Sequence, residues 1–186
     1  MATIPYPVTL TKISTTQWGI PVTDQINANT NLLTSHTTQI NANTTTLANL
    51  PKGLIARAVG TANVNAISGG VITDMSITVN LVAGRAYRIS LLMGTTSITG
   101  PSAGSDRWTI VVNRAGVAVG RVFDSQNPLS TYITAVNASI VDLPPASGSI
   151  QYTFLTTQSA GSNTWTLNAT TSVPRIATIE DLGVFP

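Results

Sequence analysis

The 186-residue chain carries nine Lys plus Arg against seven Asp plus Glu, a formal net charge of +2, with 9% charged residues, 42% hydrophobic residues and no cysteine. Charged residues normally make up about a quarter of a soluble domain, whereas Thr, Ser and Asn together supply roughly a third of this chain, so its surface is polar yet nearly uncharged. No Lys/Arg cluster supports binding to a phosphate backbone, no run approaches the ~18–20 apolar residues of a membrane span, and the absence of cysteine excludes disulfides, thiolate catalysis and Cys-type zinc sites.

Residues 1 to about 20 read as a short Pro- and Thr-rich arm. Met1 to Lys12 has neither a charged leader nor a hydrophobic stretch, which predicts a chain that is not exported by a secretory signal. Tyr6, held extended between Pro5 and Pro7, and Trp18 are the aromatics of this arm and its candidate docking residues.

Residues 21–51 follow a different pattern. Ile26, Leu33, Ile40 and Leu47 recur at an unbroken spacing of seven, the coiled-coil period. An internal repeat supports this register, because Gln25-Ile26-Asn27-Ala28-Asn29-Thr30 returns two heptads later as Gln39-Ile40-Asn41-Ala42-Asn43-Thr44. With the aliphatics at position a, Asn29, His36, Asn43 and Leu50 fall at d. The predicted stalk core is therefore Ile26, Leu33, Ile40, Leu47 and Leu50, with polar layers between. Asn and Thr are each roughly 0.5 kcal/mol worse than Ala in a helix, so self-association is the simplest way to hold this one. Pro21 suits a first turn, and Pro51-Lys52-Gly53 supplies a stop.

From Gly53 onward the period changes from seven to two. Met75, Ile77, Val79 and Leu81 alternate with polar residues, Ala83-Gly84-Arg85 turns, and Tyr87, Ile89 and Leu91 continue, which reads as strand, tight turn, strand. A loop is expected at about 94–106, then Trp108, Ile110 and Val112 alternate before a turn at Asn113-Arg114-Ala115-Gly116. Further strands are expected at 54–59, 117–123, 131–142, 149–157, 164–170 and 175–181. Eight or nine short strands without a helix among them predict a β-sandwich over 53–186, of jelly-roll type. Trp108, Trp165, Tyr152 and Phe154 fall on the apolar phase of their strands and are expected in its core.

The titratable residues are few: His36, Glu180 and six Asp. The β region has no histidine for a nucleophile triad and no phosphate-binding glycine loop, so the expectation is a protein that is not an enzyme and needs no cofactor or metal. Asp106, Asp124 and Asp142, at strand ends or loops, are the carboxylates a glycosidase pair would use; as solvated turn residues they need no function.

Ile26-x-x-Asn29-Thr30 and Ile40-x-x-Asn43-Thr44 resemble the stalk motif of trimeric fibres and trimeric autotransporter adhesins. That resemblance implies three Asn side chains converging on a three-fold axis, where a chloride or a water meets the amide N–H groups. The alternative is that Asn29 and Asn43 only set register, and that His36 forms a water-bridged layer.

Three further segments carry a broader likeness: Thr15-Thr16-Gln17-Trp18-Gly19-Ile20-Pro21-Val22-Thr23-Asp24-Gln25-Ile26-Asn27, Val79 to Ile89, and Ala177-Thr178-Ile179-Glu180-Asp181-Leu182-Gly183. With them the chain resembles the minor structural fibre or spike proteins of tailed bacteriophages. The resemblance implies a homotrimer on the virion surface, made in the host cytoplasm, with phage tail or capsid proteins as partners and host-surface glycans as ligands of the loops at 94–106, 125–130 and 158–163. Neither nucleic acid nor membrane is an expected partner. Tail-associated adhesion is the leading expectation. A capsid decoration fibre held by its arm is the alternative, a polysaccharide depolymerase a lesser one, and a secreted signalling trimer is disfavoured by the missing signal.

Overall fold

The computed structural model describes residues 15–99, 106–127 and 131–185, with side chains described over 22–99, 107–126 and 134–185. The chain divides into two compact units, one ending at Asn49 and the other running from Leu50 to Pro186. In the first unit, helix α1 spans Thr15–Asn49. It begins six residues before the start expected from Pro21, which becomes an interior residue with no N–H to offer the carbonyl of Gln17.

The second unit is mainly β. Its strands are β1 (Gly53–Gly60), β2 (Val64–Ala66), β3 (Gly70–Val71), β4 (Ile77–Leu81), β5 (Arg85–Thr99), β6 (Asp106–Arg114), β7 (Val117–Asn127), β8 (Thr131–Asp142), β9 (Gly148–Ala160), β10 (Thr164–Leu167) and β11 (Arg175–Val184). A single 3-10 turn at Thr73–Met75 precedes β4. Several strands are longer than expected. Residues 94–99, read as loop, extend β5 to fifteen residues, because Thr96–Thr99 find ladder partners on both edges, in β10 and β8.

All pairings are antiparallel, and they form two sheets. One has the order β1-β11-β5-β10-β2 with β8 on the opposite edge of β5; the other has the order β3-β9-β6-β7 with β4 also on β9. The eight longer elements nest: β1 pairs β11, β4 pairs β9, β5 pairs β8 and β6 pairs β7. That is one long hairpin rolled over itself into two layers. Val82-Ala83-Gly84 is therefore a crossing and not a hairpin turn, since β4 and β5 belong to different sheets. Tyr87 brackets the crossing by accepting the Val82 N–H at 2.9 Å.

One continuous core lies between the sheets. Ile89, Leu91 and Ile179 of the first sheet meet Ile110, Val112 and Phe154 of the second, all fully buried. Trp108 from β6 and Trp165 from β10 join the layers at a centroid distance of 5.5 Å, and Phe123 of β7 stacks on Trp165 at 5.0 Å. The alternation seen in the sequence thus places Trp108, Trp165, Tyr152 and Phe154 in the core as expected. These sheets and this shared core make the unit a β-sandwich.

At the tip of the β6–β7 hairpin, Arg114 pairs Val117 across a two-residue loop. Ala115 has φ 48° and Gly116 φ 84°, the twin positive values of a type I′ turn. Alanine pays a steric cost there that asparagine largely escapes. Ala115→Asn is expected to raise stability by about 0.5–1 kcal/mol, visible as a higher urea midpoint with an unchanged slope.

Candidate functional site

Helix α1 exposes its whole described surface from Val22 to Asn49. Ile26, Leu33, Ile40 and Leu47 are 58–67% exposed among the described residues and form an apolar stripe along the helix. Leu50, predicted to end that stripe, lies one residue past the helix, and its carbonyl accepts a bond from Arg85 at 2.7 Å.

Fourteen of the residues from Val22 to Asn49 are Thr or Asn, a propensity deficit of roughly 7 kcal/mol relative to alanine. Covering the four aliphatic side chains would return roughly 6–12 kcal/mol per chain. The two are of the same size, so the stability of this helix turns on whether its stripe is covered.

The threonines have a local arrangement. Thr30, Thr37 and Thr44, each at heptad position e, donate their hydroxyls to the carbonyls of Ile26, Leu33 and Ile40 at 2.8–2.9 Å. Thr34, Thr38, Thr45 and Thr46 do the same four residues back. The hydroxyl is thereby satisfied inside the helix, so these threonines add no unmet donor beside the stripe.

Asn29, His36 and Asn43 lie one heptad apart, about 10.5 Å along the axis. A single helix therefore brings no two of them to a shared ligand, and an anion site needs the same residue from neighbouring copies. Gln25 Nε2 donates to Asn29 Oδ1 at 3.1 Å, so one lone pair of that amide oxygen is used within the helix.

In the β unit, guanidinium groups account for most of the carboxylates. Arg85 grips Asp181 through Nε and Nη2 at 2.8–3.1 Å, with both residues under 5% exposed. That bond is the first cause of a raised Arg85 pKa. Arg175, fully buried, pairs with Asp74. Arg114 donates to Asp142, which also accepts the Tyr152 hydroxyl. Burial first, and then the bond to Asp142, push the Tyr152 phenol above its ordinary value.

Asp124 accepts two bonds from Arg107 at 2.7 and 2.9 Å and a third from Arg121. Asp124 and Asp142, weighed as a glycosidase pair, are thus each held by arginine; the side chain of Asp106 lies outside the described ones. Among the described residues no group of three His, Asp or Glu converges on a metal position, and no helix is long and apolar enough to cross a membrane.

The Arg107 bond, ahead of that from Arg121, holds the Asp124 carboxyl down at about 2. Its folded value lies below the ~3.9 of an unfolded aspartate. The stabilisation is therefore fully present above about pH 4 and is lost as pH falls through about 2. Asp124→Asn is expected to flatten stability between pH 4 and pH 2 relative to the parent, measured by thermal melts across that window.

Tyr6 lies outside the described residues, and Trp18 falls on the described backbone of α1 without a described side chain. Of the three predicted loops, residues 100–105 and 128–130 are likewise outside, while 94–99, 125–127 and 158–160 are strand. Only 161–163 remain as a described connection. The pairs made by the buried arginines had no local signature, since Arg85–Asp181 and Arg175–Asp74 span 96 and 101 residues. Two surface hollows of about 200 and 190 Å³ are lined chiefly by Ala, Val, Ile, Thr and Asn and carry no charged group.

No protein-family model matches the chain, and no characterised protein sequence matches it significantly. Among solved structures, it is similar to dimeric latent PorU from Porphyromonas gingivalis, with a TM-score of 0.35, 11% identity, and coverage of 71% of this chain and 14% of that one. It is also similar to a CBM4 structure, with a TM-score of 0.27, 14% identity, and coverage of 67% and 94%. A D431N mutant VP2 protein of infectious bursal disease virus gives a TM-score of 0.30 at 14% identity, with coverage of 72% and 37%. The chain thus spans 14% of the length of the PorU chain that it matches.

Proposed function

We propose that this chain is a non-enzymatic structural protein of a bacteriophage particle, a homotrimeric fibre or spike in which α1 forms a coiled-coil stalk and the β-sandwich is a jelly-roll head. The observation that carries the reading is the uncovered stripe of Ile26, Leu33, Ile40 and Leu47 on a Thr/Asn-rich helix with little stability of its own. A second observation favours the head architecture. The nested pairing of β1 with β11, β4 with β9, β5 with β8 and β6 with β7 is the pattern of a jelly roll, an architecture used by viral capsid and lectin domains.

In this reading the particle is engaged through the N-terminal arm, with Tyr6 and Trp18 as anchors, and the polar connections of the head meet host-surface glycans. Three copies multiply weak contacts by raising the effective concentration of the second and third. Asn29, His36 and Asn43 form polar layers on the axis, satisfied by an anion or by water, since buried amides without an acceptor cost a few kcal/mol.

Light scattering on the purified chain tests the assembly. Three times the 19.4 kDa chain, about 58 kDa, is the expected mass, and a concentration-independent mass near 19 kDa would remove the stalk. Immunogold labelling of particles then separates a tail position, which we expect, from decoration of the capsid.

A further inference from the structure

His36 sits near the middle of α1, between the two copies of the repeat that begin at Gln25 and Gln39. Its side chain is exposed, and among the described residues no hydrogen bond or ion pair engages it. Position d of a trimer faces the axis, so a polar residue there forgoes the roughly 1.5–3 kcal/mol per chain that a buried Leu contributes. A layer that costs this much stability is a place where a ligand has an effect.

The His36 layer differs in chemistry from the asparagine layers one heptad before and after it. An amide presents N–H donors and an oxygen acceptor, which suits an anion or a water. A neutral imidazole presents a nitrogen lone pair, the commonest metal ligand among side chains. Three charged imidazoles would repel one another without a counter-charge. From Val22 to Asn49 the only carboxylate is Asp24, at heptad position f on the outer side and about 18 Å along the helix. The neutral form, the one that binds metals, is therefore the form this layer favours.

The geometry needs three copies. Helices 8–10 Å apart around a three-fold axis have their own axes about 5–6 Å from it, and the Cα atoms of inward residues lie closer still, within reach of an imidazole. Leu33 and Ile40, at the a positions about 4.5 Å before and 6 Å after, close the layer with apolar side chains.

We propose that the three His36 imidazoles of a trimer bind one divalent transition-metal ion of the zinc type, with a water in the fourth position. Four-coordinate Zn²⁺ accepts this set of ligands, three nitrogens at about 2.0–2.1 Å and one oxygen. The inference rests on the trimeric reading above and puts a cation in the His36 layer. One chain carries a single histidine and no cysteine, which is why the sequence of one chain predicts no metal; the site is incomplete without its partner copies. An ion bound by the trimer and not by separated chains shifts the balance toward assembly, and the stalk becomes metal-dependent.

The test uses the untagged full chain, stripped with EDTA, then dialysed against dilute ZnCl₂, with metal content and light-scattering mass read on the same sample. The expected result is about one Zn²⁺ per three chains and a higher melting temperature of the helix signal than in EDTA. Co²⁺ in place of Zn²⁺ is expected to give the visible absorption of a four-coordinate site. His36→Asn, which copies the Asn29 and Asn43 layers, and His36→Leu, which fills the layer, are both expected to remain trimers and to lose at least about nine-tenths of the bound metal. A parent trimer that retains no Zn²⁺, or one whose Zn²⁺ survives both substitutions, overturns the inference and leaves the stalk intact. A parent chain that is monomeric with and without Zn²⁺ overturns both readings, whereas a monomer that becomes a trimer when Zn²⁺ is added supports both.

Discussion

Replacing Asp181 with alanine is expected to cost about 3–5 kcal/mol of the stability of the β domain, the penalty for leaving a buried charge without its partner. Arg85 is 4% exposed, and Asp181 answers it through both carboxylate oxygens. Asp181 also accepts the Gly183 N–H at 2.9 Å, while Arg85 reaches Leu50 O just past the helix. The pair therefore ties the start of β5, the end of β11 and the residue leading into β1. Urea denaturation of Asp181→Ala should show a lower midpoint with an unchanged slope. The double variant Arg85→Met/Asp181→Leu should recover part of the loss, because it removes the stranded charge together with the pair. A single variant within about 1 kcal/mol of the parent would mean that solvent reaches the guanidinium more freely than its burial implies.

The second large effect concerns assembly. Ile40→Asp places a carboxylate in the middle of the apolar stripe, and in a trimer three would face one another across the axis. The expected result is loss of the trimer, with sedimentation equilibrium giving a mass near 19.4 kDa in place of about three times that value. Helix content should fall with it, since a helix carrying a propensity deficit of roughly 7 kcal/mol has nothing left to cover it. Near-ultraviolet signals from Trp108 and Trp165 should persist, because both lie in the sandwich core. An unchanged mass would place the association surface elsewhere than Ile26, Leu33, Ile40 and Leu47.

Local periodicity was enough to read the helix, the change of period near Gly53 and the inward positions of the strands. Trp108, Tyr152, Phe154 and Trp165 were assigned to the core because residues two apart share one face of a strand, whatever the strand pairs with. The heptad stripe was legible for the same reason, since residues seven apart share one face of a helix. Strand ends were read less well. Thr95, Thr96, Ser97 and Thr99 look like loop residues, but those from Thr96 onward are strand because two other strands complete their hydrogen bonds. The short strands β2 and β3 carry too few residues for alternation to register.

What composition and spacing determined was the division into a Thr/Asn-rich helix and a low-charge β domain, together with the residues that face inward. Only the tertiary structure decided that β4 and β5 enter different sheets. It alone committed Asp124 and Asp142 to arginines. The physical reason is range. Periodicity is imposed by the backbone over a few residues, whereas pairing across 96 or 101 residues is settled by which strands lie side by side once the long hairpin has rolled up.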